Sequence, residues 1–376
     1  MSQIPSIAKA WRFPPDSEAW KGAQSLELRD VKVSTPGNGE VLVKLHAASL
    51  NYSNNQYFAG GPFTGSDGGG LIPVSDSAGE IVPVGEGVTR LLLISHAQPE
   101  HIATTLGSCV QGSLAQYRVF PANEILPIPD HLSYEEAATI LCAGVTAWNA
   151  LFEKRTVSEG STILVLGSGG ISMFGAQLAK AAGAQVIAST SSKDKAERYT
   201  HFTATLAVIA DSTRSSFEPS LATADIARTS SNAGRRTPRR APAAAPSRTF
   251  ITSLSNAHGT NTPVARPLPV PLCLCCGTLI KSLKSIKQEG IVHLIGFLAQ
   301  GEVKDDLSEL AQLMIMSQGT ITSVIVGNKE MNQRLDTFLS THKTKPAIDS
   351  RAFSWTEAVE AYEYVERAWV ALWQGD

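Results

Sequence analysis

The chemistry-bearing stretch of this chain is Leu166-Gly167-Ser168-Gly169-Gly170-Ile171-Ser172. Its closely spaced glycines permit a tight turn and let a ligand approach the main chain, because no Cβ stands in the way. The apolar run Thr162-Ile163-Leu164-Val165-Leu166 ahead of it reads as a buried strand. Met173-Phe174-Gly175-Ala176-Gln177-Leu178-Ala179-Lys180-Ala181-Ala182 behind it reads as a helix, and Gln185-Val186-Ile187-Ala188-Ser189 as a second strand. Strand, glycine turn, helix and strand make the βαβ unit that holds a dinucleotide, with the helix N-terminus facing the pyrophosphate. A lone G-x-G is a weak signal and also fits a turn with no ligand. Its position between strand and helix gives it weight.

The end of the second strand bears on which dinucleotide is held. A site for NAD usually carries Asp or Glu about 20 residues past the first glycine, where it bonds the ribose hydroxyls. This chain reads Ser189-Thr190-Ser191-Ser192-Lys193-Asp194-Lys195 there. Small hydroxyls with lysines suit a 2′-phosphate, so NADPH is the expected cofactor. Gly167, Gly169, Gly170 and Ile171 are the expected contacts at the pyrophosphate, and Ser189, Ser191 and Lys195 those at the 2′-phosphate. Asp194 argues the other way, and a Ser/Thr-rich loop with solvated lysines is the plain alternative.

A chain of 376 residues suits two domains. With 32 basic and 34 acidic residues it has no global field that would draw nucleic acid or a membrane surface. No apolar segment has the length of a membrane span, and Met1–Trp11 lacks a signal-peptide core, so a cytoplasmic location is expected. The five cysteines are too unevenly placed for a disulfide framework.

The elements that must position the glycine turn follow from periodicity. Residues 26–33 alternate apolar and polar, and Val41, Val43, Leu45 and Ala47 share one face of a second strand. Glu80–Gly87 and Leu114–Phe120 read as further strands, which together suggest a compact antiparallel barrel or sandwich. After Pro129-Asp130 the period changes. Ser133-Tyr134-Glu135-Glu136 is a capping box, and Ala137, Ile140, Leu141, Val145, Trp148 and Leu151 recur at helical intervals.

Ile72-Pro73-Val74-Ser75-Asp76-Ser77-Ala78-Gly79-Glu80, Leu141-Cys142-Ala143-Gly144-Val145-Thr146-Ala147-Trp148 and the glycine turn together resemble the medium-chain dehydrogenase/reductase superfamily. More narrowly they resemble its zinc-independent, quinone-reductase-like branch, which includes fungal zinc-type alcohol dehydrogenase-like proteins. The resemblance implies an α/β chain with a GroES-like β-barrel domain, 1–130 completed by 345–376. A Rossmann domain with a doubly wound parallel sheet would occupy 131–344. It also implies that Thr146 lies near the nicotinamide and that Gly296 and Phe297 contact its carboxamide. A homodimer is the assembly it suggests.

Three stretches depart from that pattern. Residues 91–103 replace a Gly-Asp-Arg-Val strand and loop, and 367–376 replace a closing strand. Between 203 and 275 two Rossmann strands are due, yet only Ala204–Ile209 is strand-like. Asp211–Leu272 holds eight Arg, eight Pro and no Lys, a composition that cannot bury enough apolar surface to order itself. Arg235-Arg236-Thr237-Pro238-Arg239-Arg240 could be a nucleic-acid patch, but it has no aromatic interleaving. Translation through an intron or in a shifted frame accounts better for its abrupt edges, and such a chain could also be catalytically defective.

Hydride transfer needs a group that polarises the acceptor. Where zinc enzymes of the superfamily place a Cys ligand, this chain has Asn51-Tyr52-Ser53-Asn54, and their Gly-His-Glu reads Val74-Ser75-Asp76. No zinc site is expected. Asn51 and Tyr52 are then the acceptor-side candidates, with the Tyr52 hydroxyl donating to a developing enolate or alkoxide. Tyr52 could equally be a packing aromatic. Asp76 is expected to bond backbone in a turn, His293 to be a core histidine, and Cys142 to be buried packing with no base beside it. The activity expected is reduction of a quinone, enone or related carbonyl small molecule by NADPH, with NAD(P)-dependent alcohol dehydrogenation as the alternative.

Overall fold

The structure, a computed structural model, describes residues 4–16, 19–51, 68–82, 90–93, 105–108, 110–190, 192–203, 206–209, 251–252, 279–295 and 307–374. They form two compact units. One comprises Met1–Lys154, Met173–Ala181 and Val324–Asp376, and the other Arg155–Ser172 and Ala182–Ser323.

In the first unit β1 (Ile7–Arg12) pairs antiparallel with β2 (Glu27–Lys32). The expected alternation of β2 leaves Leu28 partly exposed, at 36% of its surface. A second antiparallel sheet has the order β6-β3-β4-β5-β7. Its strands are β3 (Glu40–Ser49), β4 (Asp76–Ile81), β5 (Arg90–Leu93), β6 (Tyr117–Pro121) and β7 (Ile125–Pro127). The strand read from Glu80 onward thus begins four residues earlier, at Asp76, where Ser49 pairs with it. Residues 91–103 depart from the family in sequence, yet Arg90–Leu93 still forms a strand between β4 and β7. β3 carries a bulge between Leu45 and Ala47, opposite Gly79. A Cβ on Gly79 would lie 2.2 Å from the Lys44 carbonyl oxygen, so only glycine fits there.

The capping box forms as the sequence predicts. The Glu136 N–H donates to Ser133 Oγ at 3.2 Å, and the Ser133 N–H to Glu136 Oε2 at 2.8 Å. It opens α1 (Tyr134–Ala138), followed by a π turn (Ile140–Gly144), α2 (Val145–Trp148) and a second π turn (Asn149–Glu153). Ala137, Ile140, Leu141, Val145, Trp148 and Leu151 are all buried, as their spacing requires.

The second unit is built on a parallel sheet. β8 (Thr162–Leu166) runs into α3 (Gly170–Ala181), and β9 (Gln185–Thr190) into α4 (Lys193–Thr203). With β10 (Leu206–Ile209) and β11 (Ile251–Thr252) these strands give the order β10-β9-β8-β11. β11 touches β12 (Ile291–Ile295), which α5 (Leu279–Ser285) precedes, and β12 pairs with β13 (Thr320–Val324). Numbered from β8, this succession is the 3-2-1-4-5-6 order of a dinucleotide-binding sheet. One sequence expectation is corrected here. The third strand is β10, and a short fourth strand lies inside the arginine-rich stretch, where Ile251 and Thr252 pair in parallel with Val165 and Leu166. The remainder of 211–272 lies outside the described residues.

After α6 (Leu310–Ser317) the chain returns to the first unit as α7 (Lys329–His342) and α8 (Ala358–Gln374). Ala358 and Tyr362 join the apolar cluster of Ala10, Trp11, Phe13, Leu26, Ile72, Val74 and Leu114. The Trp11 indole N–H donates to the Trp355 carbonyl at 2.9 Å. Residues 367–374, expected to replace a closing strand, continue α8. No described helix is long and apolar enough to cross a membrane.

Candidate functional site

The glycine turn of the second unit is held by main-chain and side-chain bonds. Gly167 has φ +77°, a conformation that a Cβ would strain. Its N–H donates to the Ser189 carbonyl at 2.8 Å, carrying the β8–β9 ladder one residue beyond β8. Its carbonyl accepts from the Tyr199 hydroxyl at 2.6 Å. Ser172, where such motifs often have a third glycine, is fully buried, and its Oγ donates to the Leu166 carbonyl at 2.8 Å. Gly169 lies in the bend between β8 and α3, while Gly170 and Ile171 form the first turn of α3.

At the far end of β9, Ser192 caps α4. Its Oγ accepts from the Lys195 N–H at 3.4 Å, and its carbonyl accepts from the Ala196 N–H at 3.1 Å. Lys195 therefore sits in the first turn of α4, and partial burial lowers its ammonium pKa below the ordinary value. Lys193 forms an exposed ion pair with Glu197 at 3.8 Å. The Thr190 hydroxyl is buried and has no hydrogen-bond partner among the described residues. The structure thus brings Gly167, Gly169, Gly170, Ile171, Ser189 and Lys195 into one βαβα arrangement. Ser191, Gly296 and Phe297 lie outside the described residues.

The first unit holds the other expected residues. Asp76 is 1% exposed and opens β4, so it does not occupy the turn that the sequence reading gave it. It accepts from Asn51 Nδ2 at 2.8 Å, from Ser75 Oγ at 2.6 Å and from the Cys142 main-chain N–H. Burial outweighs these donors and lifts its carboxyl from 3.8 to about 6. A base therefore does stand beside Cys142, contrary to expectation, but it opposes thiolate formation. Burial and the Asp76 charge both push the Cys142 thiol above its usual range. Val74, just ahead of this cluster, has φ +74° and is fully buried. Thr146, in α2, is 2% exposed, and its Oγ1 has no partner among the described residues. His293 is fully buried in β12, as a core histidine should be. Tyr52 lies outside the described residues.

Sequence reasoning missed Tyr199. The signal was available, because Ala196, Tyr199 and Thr203 form the one less polar face of the otherwise charged helix Lys193–Thr203. The Asn51–Asp76 bond could not be read from sequence, since it depends on which β3 residue faces Asp76.

Comparison with known proteins agrees with this architecture. Residues 37–130 match the alcohol dehydrogenase GroES-like domain family. A zinc-type alcohol dehydrogenase-like protein of Schizosaccharomyces pombe is 29% identical over 87% of this chain and 87% of its own. A quinone oxidoreductase of Pseudomonas aeruginosa is 32% identical, over 47% of this chain and 52% of that one. Among solved structures, an NAD-dependent alcohol dehydrogenase shares the fold at TM-score 0.70 and 20% identity, covering 96% of both chains. A crotonyl-CoA carboxylase/reductase in complex with NADP does so at TM-score 0.68 and 20% identity, covering 97% of this chain and 93% of that one. A GroES-like domain, a relative matched over 87% of both chains and strands in dinucleotide-binding order are together consistent with the medium-chain dehydrogenase/reductase superfamily.

Proposed function

We propose that the chain is a zinc-independent, NADPH-dependent reductase of quinones, enones or related activated carbonyl compounds. The observation that carries this reading is the hydrogen-bonded set Asn51–Asp76–Ser75. By resemblance, Asn51 opens the stretch Asn51-Tyr52-Ser53-Asn54 where zinc-dependent relatives place a Cys ligand, and Ser75 and Asp76 belong to the stretch that replaces their Gly-His-Glu. An amide, a hydroxyl and one carboxylate bonded to each other are a poor set for zinc, which favours thiolate and imidazole donors. The same amide and hydroxyl are well suited to orienting a carbonyl compound. In related enzymes the names quinone oxidoreductase and 2-methylene-furan-3-one reductase point the same way.

The residues fit a nicotinamide dinucleotide. The glycine turn precedes the N-terminus of α3, the arrangement that receives a pyrophosphate, and the buried Thr146 hydroxyl, without a partner among the described residues, has bonding capacity to offer a ligand. NADPH, when bound, supplies the hydride. Gly167, Gly169, Gly170 and Ile171 hold its pyrophosphate, Ser189, Ser191 and Lys195 its 2′-phosphate, and Thr146, Gly296 and Phe297 its nicotinamide. Asp76 accepts from Asn51 Nδ2 and so fixes the carboxamide that would orient the acceptor. The Tyr52 hydroxyl then donates a proton or hydrogen bond to the oxygen on which charge develops.

Fluorescence titration tests the cofactor and metal analysis tests the absence of zinc. Saturable NADPH binding tighter than NADH, with turnover of quinones or enones unchanged by chelator, is the expected result. Stoichiometric zinc with NAD-linked alcohol oxidation would instead establish the reading that the alcohol dehydrogenase-like names of several relatives favour.

A further inference from the structure

We propose that Tyr199 is the positioning residue of the dinucleotide turn, orienting the Gly167–Ser168 peptide so that its N–H is presented to the pyrophosphate. The inference deepens the dinucleotide-binding reading and rests on it. The hydroxyl of Tyr199 donates to the Gly167 carbonyl at 2.6 Å. The Gly167 carbonyl and the Ser168 N–H belong to one planar trans peptide, so they point in opposite directions. A donor that pins the carbonyl on the α4 side therefore turns the N–H to the side away from α4.

That peptide would otherwise be free to rotate. Gly167 has no side chain, and at φ +77° it occupies a region where glycine meets little steric restraint. Its own N–H is already fixed by the Ser189 carbonyl at 2.8 Å. The plane on its C-terminal side thus depends on the Tyr199 bond. Tyr199 is itself fully buried, and the neighbouring Ser172 is fixed by its own bond to the Leu166 carbonyl. Burial and the bond to the Gly167 carbonyl hold the hydroxyl in one place, so the turn is set before any ligand arrives. Preorganisation of this kind raises affinity by cutting the ordering cost of binding.

The test compares the full chain with Tyr199→Phe and Tyr199→Met, which remove the hydroxyl while filling the space. Three probes are titrated: NADPH, 2′-phospho-ADP-ribose and 2′-AMP, the last lacking a pyrophosphate (ADP-ribose and AMP replace the fragments if the chain takes NADH). Each variant is expected to bind NADPH and 2′-phospho-ADP-ribose about tenfold more weakly and 2′-AMP as the parent chain does. Unchanged NADPH affinity in a folded variant would overturn the proposal. Equal weakening for all three probes would also overturn it, since that marks general loosening of the unit. A parent chain that binds neither NADPH nor NADH removes the dinucleotide reading itself, an outcome separate from the other two.

Discussion

Asn51 Nδ2 donates to Asp76 Oδ2 across 2.8 Å, tying the second residue past the end of β3 to the first residue of β4. The carboxylate at the centre of this link is buried and has its pKa raised from 3.8 to about 6. A carboxyl whose folded pKa is raised holds its proton more tightly in the folded chain. Its stabilising effect is complete below pH 3.8 and is lost as pH rises through about 6. Asp76→Asn keeps the shape and removes the titration. Between pH 4.5 and 7.5 the stability of this variant relative to the parent chain is expected to rise by about 2 kcal/mol. Urea denaturation at the two pH values measures it, and parallel profiles would rule out a perturbed Asp76. Asp336, raised to about 7 by burial, is common to both chains and cancels in the difference.

Two residues upstream, Val74 occupies φ +74° with a β-branched side chain, a conformation that costs on the order of 1–3 kcal/mol. It is held there from outside. The Val74 carbonyl accepts from the Ser113 N–H at 2.8 Å and from Ser113 Oγ at 3.1 Å. A Cβ on Gly112 would lie 2.4 Å from the same carbonyl oxygen, so the neighbouring chain passes too closely for other geometries. Core truncations normally cost more to Gly than to Ala. Here the order should invert, with Val74→Gly at least as stable as Val74→Ala, because only glycine removes the remaining strain of about 1 kcal/mol. Thermal melts of the pair decide the matter, and a Gly variant well below the Ala variant would contradict the strained φ.

Much of the second unit was legible in sequence because short-range signals specify it. Ile163 and Val165 on β8, the three glycines of the turn, and Val186 and Ala188 on β9 sit where apolar periodicity puts them. The Ser133–Glu136 capping box was equally local. What could not be read depends on pairing between distant segments. Ile251–Thr252 are β-branched residues suited to a strand, but a two-residue strand is too short to read from pattern, and its place beside Val165 and Leu166 is what defines it. The expectation for Asp76 is a backbone bond in a turn, yet the register with Ser49 makes it the start of a buried strand. For Tyr199 the less polar face of its helix signals burial, but the Gly167 carbonyl it meets depends on packing between separate segments.

Lys195 gives a prediction on cofactor choice. Its first-turn position on α4 places a partly buried cation close after the end of β9. Charge-assisted bonds to phosphate contribute about 1.5–3 kcal/mol, while a ribose hydroxyl gains far less from a cation. Lys195→Ala should therefore weaken NADPH binding about tenfold or more and leave NADH within about twofold. The salt dependence of NADPH affinity should flatten in the same variant. Equal losses for both cofactors would show that Lys195 supports the helix and does not read the phosphate.

Thr146 separates stability from binding. Its hydroxyl is buried in α2 without a partner among the described residues, an arrangement that costs folding free energy unless a ligand satisfies it. Valine has nearly the same shape and no polar atom. Thr146→Val is expected to raise the stability of the cofactor-free chain by about 1–2 kcal/mol, since an unsatisfied group is replaced by an apolar one. The same change removes the only donor that the side chain could give a nicotinamide carboxamide or ribose. NADPH affinity should fall several-fold, and the thermal shift on adding NADPH should shrink even though the starting melting temperature is higher. A purely structural Thr146 predicts the first effect without the second. Calorimetry with and without NADPH distinguishes the two, because a hydroxyl kept for a ligand makes the NADPH-induced increment in stability shrink while the ligand-free stability rises.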